Sequence, residues 1–139
     1  MNIIFTDIDG VLNPHWRKKW SKKAVLNYNT ICKEFDLKPV ITSTWKLNHT
    51  KEELQKVFIE QGIEIEIYDY TPHLDQQDRG LEIKQWLDDS RYKDKVDNYV
   101  VIDDRTYNIE PHVDNVVKCQ SWVGLTEEEC EIIRNIFKK

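Results

Sequence analysis

Ile3-Ile4-Phe5-Thr6-Asp7-Ile8-Asp9-Gly10-Val11-Leu12 is the stretch whose reading decides the fold. Three apolar residues followed by an acidic turn describe a short strand buried on both faces, of the kind found in the middle of a parallel sheet. Asp7 and Asp9 then stand at the end of that strand, two residues apart, and point the same way if the extended geometry persists. Two bare carboxylates so close repel each other, and either a divalent cation or a retained proton relieves the repulsion.

Working outward, Ala24, Val25, Tyr28, Ile31, Cys32 and Phe35 recur at steps of three and four behind the cap residue Ser21, which predicts a helix ending near Asp36. Val40 and Ile41 lead a second buried strand into Thr42, Ser43, Thr44 and Trp45. Thr50 and Glu53 form a capping box for a helix that buries Leu54, Val57 and Phe58 and stops at Gly62. Ile63, Ile65 and Ile67 alternate with Glu64 and Glu66, which predicts a half-exposed strand at a sheet edge. A polar loop through Pro72 and Gln76 leads to a helix with Leu81, Ile83, Trp86 and Leu87 expected in the core. Tyr99 to Ile102 form the next strand, which also ends in two carboxylates, Asp103 and Asp104. Val116 and Val117 supply a fifth strand, and Thr126 with Glu129 caps a last helix packing through Cys130, Ile133 and Phe137.

Strands alternating with helices define the expected fold class. It is a three-layer α/β sandwich, a Rossmann-like and mainly parallel five-stranded sheet with helices on both faces. The 139 residues suit one domain spanning 1–139, and no long insertion is left over to build a cap domain. In such sheets ligands bind beyond the carboxyl ends of the strands, where the strand order reverses. Asp7 and Asp9 on one strand end and Asp103 and Asp104 on another make a candidate oxygen-ligand metal site. Mg²⁺ suits it best, because the donors are hard and no Cys/His set for zinc is present. The net charge of −5 argues against a module that grips nucleic acid by bulk phosphate neutralisation, leaving room only for a local basic patch. Cys32, Cys119 and Cys130 form no CxxC pair, as expected in a reducing compartment, and the acidic start holds no signal or membrane segment; a cytoplasmic protein with no membrane association and no implied stable protein partner is expected.

The combination of Phe5-Thr6-Asp7-Ile8-Asp9-Gly10-Val11-Leu12, Thr42-Ser43, Arg79 and Val101-Ile102-Asp103-Asp104 resembles the haloacid dehalogenase (HAD) superfamily of aspartate-nucleophile phosphatases across nearly the whole chain. Ile102-Asp103-Asp104-Arg105-Thr106 looks like the metal-binding segment of the phosphatase domain in phage polynucleotide kinase-phosphatases. Ser43-Thr44-Trp45, Glu82-Ile83 with Trp86-Leu87, and Gly124-Leu125-Thr126 are similar to small HAD-type domains of RNA repair proteins. The resemblance implies that Asp7 attacks phosphorus and Asp9 is the acid–base. It implies further that Thr42, with Ser43 adjacent, and Arg79 hold the phosphate, and that Asp103 and Asp104 join the first aspartates in holding Mg²⁺. The third motif is more often Lys, and Lys84 competes with Arg79 for it; Arg79 is favoured because it should start its helix near the site.

Between Asn13 and Lys23, Trp16 and Trp20 are interleaved with Arg17, Lys18, Lys19, Lys22 and Lys23. Basic residues beside aromatics can follow a nucleic-acid backbone and stack its bases, which makes Trp16, Arg17 and Trp20 candidate substrate-binding residues. The competing account is an exposed charged helix start with tryptophan anchored in the core. The resemblance implies that an uncapped site can admit polymer ends where a cap would enclose small metabolites, which favours a phosphorylated nucleotide or a nucleic-acid 3′-phosphate end as substrate. The alternatives are a small-metabolite phosphatase and a non-catalytic binding module on the same fold.

Overall fold

A computed structural model describes residues 1–75 and 78–138 of the chain. Its elements run β1 (Asn2–Thr6), α1 (Lys22–Phe35), β2 (Leu37–Ile41), α2 (Lys51–Glu60), β3 (Asp69–Tyr70), α3 (Arg79–Asp88), β4 (Asn98–Asp103), β5 (Val116–Lys118) and α4 (Glu127–Phe137), with a 3₁₀ turn at Thr44–Leu47. The five strands form one sheet in the order β3-β2-β1-β4-β5, and every pairing is parallel. The expected α/β architecture is therefore present, with no cap among the described residues. No described helix is long and apolar enough to cross a membrane.

The apolar run of β1 is explained by its central place. Ile4 packs with α1, α2 and α4 residues such as Tyr28, Ile31, Leu54, Phe58 and Ile133 on one face. Ile3 and Phe5 pack with Val40, Val101 and the α3 residues Ile83 and Trp86 on the other. Each such side chain, fully buried, contributes roughly 1.5–3 kcal/mol relative to exposure. Local signals set the helix ends. The Ser21 hydroxyl accepts from the Ala24 N–H at 3.2 Å, and α1 closes on Asp36 in the left-handed region (φ 50°). Both capping boxes, Thr50 with Glu53 and Thr126 with Glu129, are formed. The three cysteines are buried and unpaired.

Two expectations are corrected. Ile63–Ile67 is not a strand; the edge strand is the two-residue β3 that follows it. Ile63 and Ile67 are buried against the helices, and side chains of those helices take two of the segment's N–H groups: Asn29 Oδ1 accepts from Glu64 at 2.8 Å and Gln55 Oε1 from Ile67 at 2.6 Å. Leu81 is exposed, and Glu82 takes the buried position beside it on α3. Gln76 of the expected polar loop lies outside the described residues.

The chain builds outward from β1 to β2 and β3 on one side, then crosses to β4 and β5 on the other. The switch point is the crevice between β1 and β4, where ligands of such sheets bind. Register places Thr6 beside Ile102, so the next residues, Asp7 and Asp103, leave the sheet as neighbours.

Candidate active site

The Asp7 N–H bonds the Ile102 carbonyl at 3.3 Å, extending the β1–β4 ladder one step beyond the strand. Asp7, Asp103 and Asp104 each present a carboxylate oxygen within 4.8 Å of the others. Asp7 is 5% exposed and Asp103 wholly buried. Burial, reinforced by the Asp103 charge, pushes the Asp7 carboxyl well above the usual carboxylate range. Asp103 is also raised by burial, against the opposing pull of Arg79. Arg79, the first residue of α3, sets its Nη1 2.7 Å from Asp103 Oδ2 and 3.2 Å from Asp7 Oδ1. The Arg105 N–H donates to Asp103 Oδ1 at 2.9 Å and the Ser121 hydroxyl to Asp104 Oδ2 at 2.7 Å. One guanidinium against three carboxylates leaves a local excess of negative charge made only of hard oxygen donors, which fits a small divalent cation.

The turn after β1 carries Asp9 to the same place. Three successive N–H groups, from Val11, Leu12 and Asn13, converge on the Ile8 carbonyl, and Gly10 adopts φ 83°. A Cβ at Gly10 would overlap the Asp104 carboxylate, so glycine is required for the turn to approach the carboxylates this closely. Asp7 and Asp9 line one pocket with Trp16, Ser43, Thr44, Arg79, Asp104 and Arg105. Trp45 Nε1 donates to Asp9 Oδ2 at 3.1 Å, orienting that carboxylate. Ser43 caps the 3₁₀ turn by accepting from the Trp45 N–H at 3.2 Å. An adjoining pocket, sharing Arg79 and Thr44, is lined also by Thr42, Lys46, His73 and Glu82. Thr42 Oγ1 is buried there with no hydrogen-bond partner among the described residues. A buried hydroxyl without a partner costs about 1–3 kcal/mol, so this atom is suited to meet an oxygen-rich ligand.

Comparison with protein families gives a match over residues 3–130 to the HAD domain in Swiss Army Knife RNA repair proteins. The chain belongs to that family. Membership supports a HAD-type phosphatase at the level of the family. No curated protein and no solved structure matches the chain.

In this HAD domain Asp7, Asp9, Ser43, Arg79 and Asp104 meet in one pocket, with Asp103 beneath it and Thr42 in the adjoining one. Two expectations change, and one alternative is closed. Asp9 was grouped with the metal ligands, but its carboxylate is engaged by Trp45 and lies outside the cluster of three. Lys84 is exposed and pairs with Asp88 at 3.6 Å, so the cation at the carboxylates is Arg79. Trp20 is a core residue, 5% exposed, meeting Trp45 and Phe58 edge to face, and cannot reach a substrate. Trp16 and Arg17 are exposed, and Trp16 borders the pocket.

The HAD domain also braces its site with Lys46, which sequence patterns did not single out, and with Glu82, to which they gave no role. Lys46 in the 3₁₀ turn and Glu82 on α3 form an ion pair of 3.0 Å, each side chain 5% exposed. Lys46 Nζ also donates to Thr71 Oγ1 at 2.7 Å, and Glu82 Oε2 accepts from the Leu74 N–H at 2.9 Å. Burial lowers the Lys46 pKa, although Glu82 pulls it upward. The pair ties the turn after β2 to the helix that carries Arg79. One signal was available: Glu82 is three residues from Arg79 and shares its face of α3.

Proposed function

We propose that residues 1–139 form one HAD-like hydrolase domain, a Mg²⁺-dependent phosphomonoesterase that works through an aspartyl-phosphate on Asp7. Its substrates would be nucleotides or nucleic-acid 3′-phosphate ends. The observation that carries this reading is the shared pocket of Asp7 and Asp9, with Arg79 3.2 Å from Asp7 and two further carboxylates beside it. Mg²⁺ held by Asp7, Asp103 and Asp104 would offset the charge of the phosphoryl group and of the buried acids.

In the first displacement an Asp7 oxygen bonds to phosphorus and the bond from phosphorus to the leaving oxygen breaks. Asp9 gives that oxygen its proton. In the second, Asp9 removes a proton from water as the water oxygen bonds to phosphorus, and the acyl phosphate bond breaks to free Asp7 and inorganic phosphate. Arg79 and the hydroxyls of Ser43 and Thr42 orient the phosphoryl oxygens. Trp45 holds Asp9 in place for both transfers.

The test is phosphate release from 3′-phosphorylated oligonucleotides, nucleotides, sugar phosphates and p-nitrophenyl phosphate, with Mg²⁺ and with chelator. Turnover with Mg²⁺ that stops on chelation, fastest on nucleotide or oligonucleotide esters, is the expected result. A preference for sugar phosphates favours a metabolite phosphatase, and no release from any ester leaves a binding module.

A further inference from the structure

Among the described residues the chain exposes three large aromatics: Trp16 at 59%, Trp122 at 70% and Tyr107 at 78%. Of the exposed large aliphatics, Leu26, Ile59, Leu81 and Ile132 are spread over helices, as is ordinary for a protein surface, while Leu47 and Val123 lie in the turns after β2 and β5. The three aromatics instead follow the carboxyl ends of β1, β4 and β5, the edge where the catalytic carboxylates emerge. Exposed Arg17, Lys18, Lys19 and Arg105 stand in two of the same loops, so basic charge gathers here in a chain whose net charge is −5.

The loop bearing Trp122 is built and anchored. Val123 and Gly124 both donate to the Gln120 carbonyl at 2.9 Å, closing a tight turn. A Cβ on Gly124 would overlap the Val11 carbonyl and press on the Pro14 ring, so the turn sits directly on the loop that carries Trp16. The Leu125 N–H fixes it there through the Val11 carbonyl at 2.9 Å. Ser121, next to Trp122, donates to Asp104. The His15 ring lies 6.3 Å from the Trp122 ring, tilted by 37°, and His15 adjoins Trp16.

We infer that Trp122, with His15 beside it, is a base-stacking platform outside the phosphate pocket, and that the chain binds single-stranded nucleic acid across this rim. This inference rests on the phosphomonoesterase reading for its choice of ligand. Trp16 borders the pocket, where the base of the terminal nucleotide falls; Trp122 does not line it and meets a base further along the strand. A flat aromatic offers a face that any unpaired base can cover, whereas bases in a duplex are already stacked. Arg17 and Arg105 then meet backbone phosphates.

The test is fluorescence anisotropy of labelled hexauridylate ending in a 3′-hydroxyl, competed with uridine monophosphate and with a blunt duplex, on the full chain and on Trp122→Ala and Trp122→Phe. Circular dichroism checks that each variant folds. The expected result is that hexauridylate outcompetes both, that Trp122→Ala weakens it about fivefold or more, and that Trp122→Phe retains most of the binding. Equal affinity of the hexamer for wild type and Trp122→Ala, or a mononucleotide that binds as well as the hexamer, overturns the platform. Phosphate release separates the two readings. Stacking-dependent binding with no release from any ester removes the phosphatase and keeps the platform, and release with Trp122-independent binding does the reverse.

Discussion

Replacing Lys46 with methionine keeps most of the length of the side chain and removes its charge, leaving the Glu82 carboxylate 5% exposed with the Leu74 N–H as its close hydrogen-bond donor and His73 Nδ1 3.7 Å away. Breaking a buried pair by removing one partner typically costs about 3–5 kcal/mol. Lys46→Met should therefore lose about 3 kcal/mol. The double variant Lys46→Met with Glu82→Leu should recover a large part of the loss, because no charge is then buried. Urea unfolding of the three proteins measures this. A loss under about 1 kcal/mol, or a double variant no more stable than Lys46→Met, would refute the claim that this pair is closed to water.

Asp7→Asn should lower phosphate release by at least about a hundredfold while circular dichroism stays that of the wild type, since the amide keeps the volume but is a poor nucleophile. Trp45→Phe removes the donor to Asp9 and should lower kcat on an alkyl phosphate about tenfold, with a smaller loss on p-nitrophenyl phosphate, whose leaving group needs no proton. Equal losses on the two esters would separate Trp45 from the acid–base step. Asp7 and Asp103 have folded pKa values raised above the unfolded ones, so their contribution to stability is present below the ordinary carboxylate range and lost as pH rises through the raised values. Mg²⁺ favours the ionised acids and should raise Tm more at about pH 8 than at about pH 5 in thermal scans; equal increments would show that the cation binds elsewhere.

The parts legible in the sequence are those fixed by local chemistry. β1 and β4 were readable because both faces of each are covered, which leaves an unbroken apolar run that stops at carboxylates. The capping boxes were readable because three residues suffice to form one. The misleading parts depend on distant partners. Alternation from Ile63 to Ile67 is what a strand shows, but an irregular segment lying on two helices shows it too once Asn29 and Gln55 take its N–H groups. Trp20 sits among lysines, yet Gln61, 41 residues away, accepts from its N–H at 2.9 Å and draws the segment onto α2. The phase of α3 follows from Arg79 facing Asp7. Three residues on, Glu82 must then face inward, and Leu81 is rotated into solvent.

The outer strands of the sheet are only two and three residues long, and the amides of Glu64 and Ile67 before β3 are already taken by side chains. Another chain approaching either margin therefore finds almost no ladder to extend, although Ile3-Ile4-Phe5 and Val100-Val101-Ile102 are the uncharged, β-prone windows that assemble into fibrils when uncovered. Both windows are clamped between neighbouring strands and become accessible only when the sheet itself opens. The fold thus ties resistance to aggregation to its global stability: a substitution that leaves the surface untouched but loosens the core raises the risk of self-association as directly as one that exposes an edge.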